Sequence, residues 1–183
     1  SFLLAVYFAV RGFTGEKPKP WFRWAGVASL LAVLSKGVGA VAPLVILLYD
    51  GVMVTKGLRR ALSRHRSLYA GLSLTWVAAA LLQLGAPRGS SVSFISPEIG
   101  PLAYLSRQPR AVLTYIKLAF WPSPLIFDYG DPPPPVPPAT LVVFTFVVVA
   151  ILAAACLALR RFPLAGFAGV SFFLILAPTA VIP

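Results

Sequence analysis

Lys36 stands inside a stretch that is otherwise almost free of charge, "FRWAGVASLLAVLSKGVGAVAPLVILLY" over residues 22–49. A lysine in such a run is costly to desolvate and by default marks a functional site, where its ammonium would hold an anion. The competing reading is a lysine that snorkels, laying its apolar stem in lipid and its head at the interface. Further along, "QPRAVLTYIKLAFW" puts Arg110, Thr114 and Lys117 at i, i+4, i+7, the spacing of one helix face. Leu113, Ile116 and Phe120 fall on another. Two cations on one face at headgroup depth fit either a surface anchor or a clamp for the phosphate of a lipid-linked substrate. Spacing alone leaves both open. A third group follows in "FDYGD", where Asp128 and Tyr129 sit in a turn that Gly130 permits. Asp128 there either caps the turn through its own backbone or presents a carboxylate to a substrate.

These residues need elements to carry them, and composition says which kind. With 58% hydrophobic and 11% charged residues and a mean hydropathy of +0.85, the chain lies outside the habits of soluble domains. In lipid each backbone group must be bonded within its own helix, so an all-α, polytopic transmembrane helical bundle is expected. Residues 139–159 and 162–183 each supply the apolar length that a hydrocarbon core of roughly 30 Å requires. Residues 67–84 form a shorter span, and 1–10 read as the remainder of another. Because the chain begins inside that apolar run and stops within "LAPTAVIP", it reads as an internal segment of a longer membrane protein.

Orientation follows from the basic residues. Arg11, Lys17, Lys19 and Arg23 fall in one short loop, Lys56, Arg59, Arg60, Arg64 and Arg66 in a second, and Arg160 with Arg161 in a third. Short basic loops stay cytoplasmic. Residues 22–53 are then flanked by cytoplasmic charge on both sides. They are expected to form a hairpin with arms 22–34 and 38–53 and Lys36 at its tip; one long tilted helix is the alternative. Residues 85–138 become extracytoplasmic, with an interfacial helix over 109–121 opened by Pro109 and a polyproline II strap, "PPPPVPP", leading to the next span.

The remaining chemistry is sparse. Cys156 lies alone in "VVVAILAAACLAL" and reads as an apolar packing residue. His65, between Arg64 and Arg66, reads as part of a solvated basic loop. No metal site and no cofactor are visible, and the +11 net charge is a topology signal facing the lipid bilayer, not a nucleic-acid surface.

Taken in order, "LAVLSKGVGAVAPLVILLYD", "SRQPRAVLTYIKLAFWPSPLIFDYG" and "FFLILAPTAVIP" resemble the bacterial membrane glycosyltransferases of the GT-C class that carry tetratricopeptide repeats after the membrane domain, relatives of protein O-mannosyltransferases. The resemblance implies a glycosyltransferase of the bacterial inner membrane. Such an enzyme takes a sugar from a polyprenyl-phosphate donor and transfers it, on the extracytoplasmic face, to a protein or glycan hydroxyl with inversion. The expected shared external placement of Lys36, Arg110, Lys117, Asp128 and Tyr129 fits phosphate-binding and substrate-positioning roles in such an enzyme. The resemblance also implies a catalytic base in an external loop upstream of residue 1, so the catalytic residue is unknown here. Where relatives often have an acidic residue after the Ser-Lys pair, this chain has Gly37, and the repeats are not in these residues. A transporter or lipid flippase, with "SKGVGAVAP" as a discontinuous-helix substrate site, is the reading from another class.

Overall fold

The computed structural model describes residues 1–85, 101–123 and 137–181. Within these the chain is all-helical, with α1 (Phe2–Thr14), α2 (Pro18–Ser35), α3 (Ala42–Tyr49), α4 (Leu58–Arg64), α5 (Arg66–Gly85), α6 (Pro101–Phe120), α7 (Pro138–Arg161) and α8 (Pro163–Val181). A 3-10 segment, Gly37–Val41, leads into α3, and a π-helical segment, Asp50–Val54, leads out of it. The stretch Gly37–Val54 and α7 are each long and apolar enough to cross a membrane. None of the α7 residues is buried against protein, as suits a helix that is apolar all round.

The chain divides into two compact units, residues 1–87 with 155–178 and residues 88–154 with 179–183. In the first, small residues decide the packing. Ala5, Ala9 and Gly12 of α1 and Ala25, Ala28, Ser29 and Ala32 of α2 recur at helical spacing and are buried. Small side chains let two helix backbones approach closely. Gly12 shows how close: a Cβ there would overlap the Phe22 ring. Phe8 meets Trp21 at 6.0 Å between ring centroids and Phe13 meets Phe22 at 5.4 Å, so α1 and α2 run antiparallel. Ala42 and Ile46 of α3 and Leu68 and Leu72 of α5 complete the core.

Phe22 at the start of α2 and Asp50 at the end of α3 both reach His65, the first by ring contact at 5.7 Å and the second by a 2.7 Å hydrogen bond. The chain therefore leaves the His65 level along α2, turns at Lys36, and returns along the 3-10 segment and α3. Gly39 permits the turn, because a Cβ there would strike the Ala32 backbone. Trp76 of α5 donates from Nε1 to the Ala40 carbonyl at 2.8 Å and pins the turn from the side. The second arm, expected over 38–53, is a composite of 3-10, α and π turns.

α7 and α8 pack together near their joining turn, where a Cβ on Gly166 would overlap the Leu159 backbone. Phe167 then reaches Tyr49, at 5.7 Å between rings. In the second unit α6 runs Pro101–Phe120 with Pro109 inside it. The expected start at Pro109 is thus corrected. Pro101 takes the first position, where a missing N–H is harmless, and Pro109 leaves the ladder one bond short. The Tyr104 hydroxyl donates to the Thr179 carbonyl at 2.7 Å, joining the start of α6 to the end of α8.

Candidate functional site

Lys36 follows the last residue of α2 in extended backbone, with φ −162° and ψ 137°. Its N–H still donates to the Ala32 carbonyl at 3.0 Å, and its carbonyl accepts from Gly39 N at 2.8 Å. The turn is fixed by its backbone, which leaves the side chain exposed. Beside it Gly37 has open space where a Cβ would be. Ser35 is occupied with the Leu31 carbonyl at 2.6 Å. The arrangement is an exposed lysine at the turn of an apolar hairpin, its backbone held by hydrogen bonds on both sides.

Arg110 and Lys117 are both exposed on α6, and Thr114 between them bonds the Arg110 carbonyl at 3.0 Å. One cation that sequence reasoning left out of the site joins them. Arg107, one turn before Arg110, keeps Nη1 buried without a hydrogen-bond partner among the described residues. Arg107, Arg110, Thr114 and Lys117 make a stripe at i, i+3, i+7, i+10. A buried guanidinium nitrogen with no acceptor is costly, and an anion would relieve it. Lys36 belongs to the other unit. Asp128 and Tyr129, and the proline strap after them, lie outside the described residues.

Sequence reasoning also missed a polar cluster at the opposite end of the hairpin. The Asp50 side chain is fully buried. Its Oδ2 accepts from His65 Nδ1 at 2.7 Å and from the Tyr69 hydroxyl at 2.8 Å, while Oδ1 has no partner. An ionised carboxylate only accepts, so in that state His65 carries its proton on Nδ1. The ring is wedged against Phe13 and Phe22 at 5.1 and 5.7 Å. The expectation of a solvated His65 is therefore corrected: its side chain is only 15% exposed, because α1 and α2 close over it. The π turns bring Asp50 to this position, and Thr55 ties off the segment by donating to the Asp50 carbonyl from N at 2.8 Å and from Oγ1 at 3.1 Å. Lys56, in the left-handed region at φ 55°, reaches back to the Val52 carbonyl at 3.3 Å. Enclosed in this way, Asp50, His65 and Tyr69 act as a clamp joining the π segment to α5. The signal available in the sequence was an aspartate closing an apolar run, which is expensive unless paired.

Among the described residues no group of His, Cys, Asp and Glu comes together as metal ligands. Cys156 is exposed on α7 and not in the packing role expected of it. No protein family, curated protein or solved structure matches the chain.

Proposed function

We propose that the chain is part of a GT-C-type glycosyltransferase of the bacterial inner membrane that uses a polyprenyl-phosphate-linked sugar. The observation that carries this reading is Lys36, an exposed cation held by a fixed backbone turn at the end of the hairpin opposite the basic loops. In transfer the bond from the anomeric carbon to the phosphate oxygen breaks and a bond to the acceptor hydroxyl oxygen forms on the opposite face. The hydroxyl proton goes to a base upstream of these residues, and polyprenyl phosphate leaves with one more negative charge to stabilise. Lys36 supplies preorganised positive charge for it. Asp128 and Tyr129 orient the sugar or the acceptor protein or glycan.

The α6 cations bind phosphate in both ground and transition states, so Arg110→Gln and Lys117→Gln in the full-length enzyme should raise KM for the donor more than they lower kcat. Unchanged KM in both would remove α6 from the donor site. A transporter or flippase is favoured by a different observation, the interruption of regular helix at Lys36–Val41 and again at Asp50–Val54, since broken helices build midplane substrate sites. Reconstituted protein that moves a labelled polyprenyl-phosphate lipid between leaflets, with no sugar transfer, would favour that reading.

A further inference from the structure

Between α2 and α5 runs a groove of about 790 Å³. The two helices run in the same direction, since Phe22 meets the His65 ring at the start of α5 and the turn after α2 receives Trp76. Lys19 and Arg23 of α2 and Ser67 of α5 line its mouth; Val27, Leu30 and Leu74 line its length. Lys19, Arg23 and Ser67 are all exposed, and neither cation has an ion-pair partner among the described residues. Both helices begin at this mouth, so the positive ends of their dipoles add to the two side-chain charges.

We infer that this groove holds an anionic glycerophospholipid, its phosphate on Lys19, Arg23 and Ser67 and an acyl chain between α2 and α5. The dimensions fit. From Lys19 to Leu30, and from Ser67 to Ala78, eleven residues at helical rise span about 16 Å. That is about half of a hydrocarbon core of roughly 30 Å, the depth of one leaflet. The floor is open where a chain would lie, because a Cβ on Gly26 or on Gly71 meets nothing within 4 Å. A second groove of about 310 Å³, lined by Pro20, Arg23, Trp24 and Val27, shares Arg23 and Val27 with the first. A two-chain lipid can thus straddle that ridge with its phosphate on Arg23. Basic pockets between membrane helices on the cytoplasmic side select anionic headgroups by this same pairing of charge and apolar wall.

The test is retention of phosphatidylglycerol against phosphatidylcholine of identical chains by the purified full-length protein in detergent, read by native mass spectrometry. Phosphatidylglycerol is expected to be preferred by roughly thirtyfold, the combined worth of two headgroup-depth cations. Lys19→Gln with Arg23→Gln should abolish the preference, whereas Lys56→Gln with Arg59→Gln, on a different loop, should leave it. Gly71→Leu fills open space and should exclude both lipids while the helical circular dichroism is unchanged. Equal retention of the two lipids, a preference that survives loss of Lys19 and Arg23, or Gly71→Leu that retains lipid would overturn the inference. So would preferential retention of a polyprenyl phosphate offered at the same concentration, which would assign the groove to a single-chain lipid.

Discussion

Asp50 Oδ2 and His65 Nδ1 lie 2.7 Å apart across the end of the hairpin, with the carboxylate fully buried. The bond joins the last turn of one apolar arm to the start of the next helix. Removing the carboxylate leaves the His65 N–H and the Tyr69 hydroxyl without their acceptor in a largely closed site.

Asp50→Ala should therefore lower stability by about 1.5–3 kcal/mol, the usual worth of hydrogen bonds to a charged group. His65→Ala should lose part of the same energy, so the double variant should be less destabilised than the sum, with a coupling of about 0.5–3 kcal/mol. Unfolding in one fixed detergent, followed by circular dichroism, gives all the corners of the cycle. Additive effects would mean that the contact contributes nothing beyond the separate packing of the two side chains.

Much of the fold could be read from the sequence, and the clamp could not, for a physical reason. Helical character follows from apolar run length, which is a local property. The observed α7, Pro138–Arg161, and α8, Pro163–Val181, accordingly track the apolar runs 139–159 and 162–183. Lys36 is legible as a charge out of place. Asp50, His65 and Tyr69 meet only because α3 returns beside α5, and His65 is covered only because Phe13 and Phe22 arrive from α1 and α2. Its neighbours in sequence, Arg64 and Arg66, are solvated and point to the opposite answer. Pro109 is as good a first helical residue as Pro101, and only the fold chooses between them.

Glycine positions in the hairpin should respond in opposite directions. Gly39→Ala drives a Cβ into the Ala32 backbone, which cannot rotate away, and should destabilise by about 1–3 kcal/mol. Gly26→Ala adds a Cβ in open space within α2 and should stabilise by about 0.5–1 kcal/mol through helix propensity. Thermal unfolding of the two variants under identical conditions separates them. Equal destabilisation would contradict the close approach of the 3-10 segment to α2.

Membrane sidedness is testable with single cysteines on a Cys156→Ala background. Gly37→Cys, exposed at the hairpin turn, should react with a membrane-impermeant maleimide applied to spheroplasts. Ser63→Cys, in the basic α4 region, should react only after permeabilisation. Labelling of position 63 from outside would invert the assignment, and labelling of both would break the hairpin topology.

The most direct measurement is transfer of labelled sugar from polyprenyl-phosphate donors in membranes carrying the full-length protein, comparing it with its Lys36→Ala variant at matched expression. Loss of one positioned cation from the leaving phosphate should lower kcat by about 10²–10³-fold, as for other preorganised charge stabilisers, with the fold retained because the turn is held by backbone bonds. Transfer by the variant at the unsubstituted rate, or no transfer from any donor by well-folded protein, would contradict the glycosyltransferase account.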